Sequence, residues 1–209
     1  MTASPGQRAA HAAVALAAAT GLVLHYVVVL GHDGEVAARS IRFLSYFTIL
    51  TNMLVAASAF ALALGRGRLA EMAERSSWRT ATTLHILVVA LIYHLLLRHI
   101  TLPGAIGWTA NMLVHQLVPA GWLVCWLAFP PHGGIHRMAP WRWLLYPLLF
   151  VAWTLIHGAL GGWYPYPFMD VAALGYPAVI ANILGIGLLF LVLGQGLRAV
   201  DGWLARRGG

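Results

Sequence analysis

Lysine is absent from this chain of 209 residues, and aspartate and glutamate together number only six. Charged residues make up 9% of the sequence and hydrophobic ones 60%, whereas a soluble domain carries about 25% charge. With a mean hydropathy of +0.77, the chain is expected in a bilayer rather than in water. The single cysteine, Cys125, excludes an intrachain disulfide and a thiolate metal set, and in its apolar run it reads as a small core residue. Asp33, Glu35, Glu71, Glu74, Asp170 and Asp201 are all the carboxylates there are, and none falls in the middle of an apolar run. That argues against two-carboxylate acid–base chemistry and against a carboxylate-rich di-metal site. The formal charge of +7 comes from arginine alone, spread over loops and termini. A nucleic-acid surface would cluster it.

Six apolar runs are present, each near the ~20 residues that cross a bilayer. They cover roughly 9–30, 43–64, 80–100, 108–128, 142–160 and 173–197. Short polar or Pro/Gly-rich segments separate them, with no internal repeat and no soluble domain, so residues 1–209 are expected to form one all-α bundle of six transmembrane helices. The first run follows Arg8 and is rich in alanine, as a cleaved signal would be. At about 22 residues it exceeds the 7–15 of a signal's apolar region and reads as a retained helix. Ten arginines (8, 66, 68, 75, 79, 137, 142, 198, 206 and 207) fall on one side of these spans, and Arg39, Arg42 and Arg98 on the other. Positive charge marks the cytoplasmic face, so both termini are expected there.

Depth can then be counted at about 1.5 Å per residue. Thr48 lies about 8 Å below the outer end of span two, His115 about 10 Å down span four, and His94 about 9 Å below the outer end of span three. His157 and His25 come out shallower, at about 5 Å. Five helices thus deliver polar groups to one outer layer, while the inner half is poorer in them apart from His85 and nearby threonines. Ser45, Thr48, Thr51 and Asn52 are spaced to share a helical stripe, and Asn111 and His115 stand one turn apart, as do Trp153 and His157. Such stripes face a bundle interior or a wet cavity.

Each residue also has a plainer reading. Hydroxyls in spans are more often glue between helices than nucleophiles, and Thr51 can simply donate to the carbonyl a turn back. An intramembrane histidine is as often a structural hydrogen-bonding group as a functional one. Trp163, Tyr164 and Tyr166 individually suit the outer aromatic belt. Taken together, however, the pattern suits chemistry: a neutral histidine can take the proton of a hydroxyl nucleophile, and an amide or imidazole N–H can hold an oxyanion.

The order of short motifs resembles the androgen-induced membrane proteins and their relatives, intramembrane threonine hydrolases of fatty acid esters of hydroxy fatty acids. The carrying residues are Phe47–Thr48, then Trp108, Asn111 and His115, then His157 with Trp163, and Tyr166 to Asp170 in YPFMD. In its short loops and the segment RFLSYFTILTN the chain departs from that pattern and looks like a distant bacterial-type branch, which implies a bacterial plasma membrane as the expected location. The resemblance implies Thr48 as the acyl-accepting nucleophile and His115 as its general base. Asn52, Asn111, His94, His157, Trp163, Tyr166 and Asp170 are the expected supporting or substrate-binding residues. Neither a metal nor another cofactor is called for; the expected partner is a lipid substrate from the outer leaflet. A transporter or proton pathway with a histidine relay is the alternative, followed by a haem or metal oxidoreductase.

The arginine bias predicts that a tag at the C-terminus is protected in intact cells, while a cysteine introduced between Gly161 and Asp170 reacts with an impermeant thiol reagent. The opposite labelling pattern would invert the bundle.

Overall fold

The computed structural model describes residues 3–100 and 102–208; Met1, Thr2, Thr101 and Gly209 lie outside them. Among the described residues the chain is helical, without strands, and six helices are long and apolar enough to cross a membrane. The first is α1, Pro5–Leu30. It starts where Ser4 and Gln7 cap each other reciprocally, with Pro5 at the first helical position. Its far end is held by Arg39, whose guanidinium donates to Leu30 O at 2.6 Å and also to His32 O. A cation on the last carbonyls suits the helix dipole.

Span two differs from the single helix expected over 43–64. It is broken into α2, Val36–Leu44, and α3, Phe47–Leu64, at Ser45–Tyr46. Ser45 therefore caps α2 and does not share a stripe with Thr48 and Asn52. Its hydroxyl donates to Ile41 O at 2.7 Å and accepts from the Trp153 indole at 3.0 Å. α2 runs back beside the end of α1, with Tyr26 Oη 2.8 Å from Ser40 Oγ. At the other end, Arg8 of α1 caps α3 through Ala63 O at 2.8 Å.

After the short α4, Arg68–Ala73, α5 spans Ser76–Ile92 and ends in a π-turn over Tyr93–Leu97. The fourth span is α6, Gly104–Met112, a second π-turn over Leu113–Leu117, and α7, Val118–Ala128. α8, Ala139–Trp143, leads into α9, Leu145–Gly161. The last helix, α10, covers Val171–Gly208 with a kink at Gly175, where φ is 75°, just before Pro177.

The half of the bundle away from Thr48 holds more polar groups than the sequence suggested. α10 outruns the apolar stretch, so Asp201 lies inside the fold, fully buried. It accepts from Gly133 N–H at 2.6 Å and Ser76 Oγ at 2.8 Å, with His132 Nδ1 3.4 Å away. Arg79 is also buried and donates to Cys125 O at 3.1 Å. Indole N–H groups of Trp78, Trp122, Trp126 and Trp143 donate to Ser58, Thr83, Thr80 and Ser77 at 3.0–3.2 Å. These hydroxyls are glue, satisfying donors that the bilayer cannot.

Two glycines set close approaches. A Cβ on Gly21 would lie 2.9 Å from Val114 Cγ1, so its absence lets α1 press on the second π-turn. A Cβ on Gly158 would lie 2.0 Å from the Tyr164 ring, which rests directly on α9. Gly158→Ala is predicted to expel that ring and destabilise the fold by about 1–3 kcal/mol, the usual cost of overpacking. Gly161→Ala, whose Cβ meets nothing nearer than 4.0 Å, serves as the neutral control. Unfolding midpoints in detergent compare the two.

Candidate functional site

The helix break at Ser45–Tyr46 puts Thr48 in the first turn of α3. N–H groups there have no partner within the helix, and inside an apolar bundle they must find one elsewhere. For Thr48 it is the phenol of Tyr166, whose Oη accepts the Thr48 N–H at 3.3 Å; the Thr48 hydroxyl faces the same phenol. Tyr166 belongs to the segment between α9 and α10, where Pro167–Met169 form a short 3-10 turn. Asn182 of α10 anchors that turn, donating to Phe168 O at 2.8 Å. Phe168 stacks on Tyr166 at 5.2 Å, and Tyr46 meets it edge-on at 5.7 Å. Burial pushes the Tyr166 phenol up to about 12. It stays protonated at physiological pH, a hydrogen-bond donor rather than a base.

Beside this pair lies a cavity of about 350 Å³, bounded by α3, α5, α9, α10 and the Tyr166 segment. Phe47, Val89, Phe150, Ile183 and Phe190 are among its walls, and apart from Thr48 and Tyr166 the lining is apolar. The volume lies in the range of small-molecule sites.

A second group of residues meets where the two π-turns face each other. The Tyr93 ring stacks on His115 with centroids 3.8 Å apart and planes 14° from parallel. His115 Nδ1 is 3.1 Å from Asn111 O. A carbonyl only accepts, so Nδ1 carries the proton and Nε2 keeps its lone pair, the tautomer a base requires. π-turns recur at functional sites because they re-aim side chains. Asn52 joins the two groups. Its amide donates to Thr48 O at 2.9 Å and to Val114 O at 3.1 Å, tying the first turn of α3 to the π-turn that carries His115. Thr48, Asn52, Asn111 and His115 are all buried. No hydrogen bond joins Thr48 to His115 among the described residues; the coupling runs through Asn52.

The other expected site residues have different surroundings. His94 is exposed, its Nδ1 bonded to Ala90 O at 2.7 Å, because the first π-turn aims it out of the bundle. His157 is half-buried between Trp153 and Trp163, at ring distances of 5.4 and 5.9 Å, within the aromatic belt. Trp163 also meets Tyr46 edge-on at 5.7 Å and carries the Arg42 guanidinium over its face at 5.4 Å. Asp170 caps α10, accepting Ala173 N–H at 3.1 Å. His25 packs on Phe43 at 6.0 Å.

Sequence reasoning missed Tyr93 and Asn182. An aromatic residue in an apolar run and an asparagine inside a long helix carried no distinguishing spacing. Comparisons with family models, with curated proteins and with solved structures found no match to this chain.

Thr51 is paired away from the cavity: Oγ1 lies 3.2 Å from Tyr146 Oη on α9, rather than using the carbonyl a turn back. Thr51→Val should therefore cost one interhelical hydrogen bond, on average roughly 0.6 kcal/mol in a membrane protein, and leave the cavity intact. A destabilisation several times larger in a denaturation series would assign Thr51 a wider role.

Proposed function

We propose that this chain is an intramembrane hydrolase of lipid carboxylic esters, of the fatty acid ester of hydroxy fatty acid type, with Thr48 as nucleophile and His115 as general base. One observation carries the reading: among the described residues, the polar side chains on an apolar cavity are Thr48, in a helix's first turn, and the phenol that covers it. A lipid ester has the same division, one polar carbonyl on hydrocarbon. Its source is proposed to be the outer leaflet of a bacterial-type plasma membrane, following the arginine bias.

In the proposed reaction, Thr48 Oγ bonds to the ester carbonyl carbon while its proton passes to His115 Nε2. Negative charge gathers on the carbonyl oxygen. The Thr48 N–H, which in the free protein is donated to Tyr166 Oη, and the Tyr166 O–H are the donors proposed to receive it. When the ester C–O bond breaks, the departing alkoxide takes the proton from imidazolium. Water, giving a proton to the same imidazole, then attacks the acyl-threonine; as the bond to Thr48 Oγ breaks, that oxygen takes the proton back from imidazolium and the acid is released. The Asn111 carbonyl and the Tyr93 ring fix the tautomer and plane of His115 throughout. Catalytic hydrogen bonds commonly tighten only with substrate in place, and the Asn52 bridge couples the two turns that would have to close.

Thr48→Val is expected to abolish both ester hydrolysis and labelling by a lipophilic serine/threonine-hydrolase probe. His115→Ala should lower turnover by about 10²–10⁴, the usual worth of a positioned base, with the protein still folded. Wild-type turnover in His115→Ala removes the base assignment. An active Thr48→Val beside an inactive Thr51→Val moves the nucleophile along the helix, and activity in both ends the hydrolase reading.

A further inference from the structure

The cavity is not closed on all sides. Leu148 of α9 and Leu184 and Leu188 of α10 line it, yet are 55%, 67% and 62% exposed, so they form a rim that opens sideways through the bundle's apolar surface. α9 and α10 make few direct contacts with each other. Along α10, Ile183, Gly187 and Leu191 are spaced one turn apart and all line the cavity. The glycine in the middle of this row has no need of its small size for packing, because a Cβ there would meet nothing within 4 Å. Mid-helix glycine is otherwise an unfavourable choice. Its effect here is to leave this one row of the wall without a side chain for about 12 Å between Ile183 and Leu191, eight residues of helical rise, while Ile186 and Phe190 line the cavity beside it.

We propose that this cavity is an acyl-chain channel entered laterally from the bilayer between α9 and α10, and that Gly187 sets the length of chain it accepts. The proposal rests on the hydrolase reading for the identity of the ester, and on the cavity alone for the chain. An alkyl chain matches an apolar, sideways-opening channel whose polar groups are confined to Thr48 and Tyr166. It needs no hydrogen bond along the way, and its natural reservoir is the bilayer outside the rim. A side chain at Gly187 would project into the open stretch and end the channel early.

The test uses the full chain in phosphatidylcholine vesicles. A non-hydrolysable palmitamide analogue bearing a diazirine on its chain is photo-cross-linked and the labelled residues mapped, and hydrolysis of butyryl, octanoyl and palmitoyl esters is measured in parallel. Labelling is expected on α9 and α10 around Leu148 and Leu188, displaced by unlabelled palmitoyl ester despite the excess of phosphatidylcholine. Gly187→Phe should lose that labelling and fall in kcat/KM by roughly a factor of four for each methylene denied entry, while retaining butyryl hydrolysis. Gly187→Leu, a smaller change, should give an intermediate length limit and replaces Gly187→Phe if that variant misfolds. Gly185→Phe is the control, since Gly185 does not line the cavity and a Cβ there also meets nothing within 4 Å.

Labelling on other helices would overturn the proposal. So would labelling that palmitoyl ester fails to displace, or a chain-length profile identical in wild type and the Gly187 variants. If no ester is hydrolysed by the wild type but the Gly187-sensitive labelling persists, the channel stands and the hydrolase reading falls.

Discussion

The interruption of span two is the constraint around which the half of this bundle that contains Thr48 is organised. Breaking a helix inside an apolar environment strands backbone N–H groups that water cannot reach. Here the stranded Thr48 N–H is met by Tyr166, which must therefore be brought in from the segment after α9. Holding that segment requires Asn182 on Phe168 O, the stack of Phe168 on Tyr166, and a glycine at 158 so that Tyr164 can lie flat on α9. On the opposite side, Asn52 takes the carbonyl of Thr48 and extends the same arrangement to α6 and its π-turn. One unpaired backbone group thus accounts for the position of elements more than a hundred residues apart.

The opposite half follows a different pattern. Its indoles are matched one by one to serine and threonine hydroxyls, and Asp201 gathers donors from α5 and the loop after α7. These groups have internal partners, so they stiffen the bundle without leaving a reactive atom open to a cavity. The half that contains the helix break leaves Thr48 and Tyr166 on a cavity wall, and among the described residues no donor meets His115 Nε2.

The spans were legible because an apolar run of about twenty residues has few other uses. The burial of Thr48, Asn52, Asn111 and His115 was legible from spacing. The break at Ser45–Tyr46 was not, because neither proline nor glycine marks it. The π-turns at Tyr93–Leu97 and Leu113–Leu117 were equally silent, since a single extra residue per turn leaves composition unchanged. Depth counting along ideal helices consequently grouped His94 with Thr48, although the π-turn rotates His94 outward. Asp201 was set outside because the apolar stretch ends before the helix does. The role of Asp170 as the cap of α10 follows from local geometry that residue type alone leaves open.

The sideways opening at Leu148, Leu184 and Leu188 has a consequence for how concentration is counted. A molecule that reaches Thr48 by that route never leaves the membrane plane, so its supply is governed by its mole fraction among lipids and by two-dimensional diffusion. Diluting the aqueous phase at constant membrane composition leaves that supply unchanged, whereas adding inert lipid lowers it.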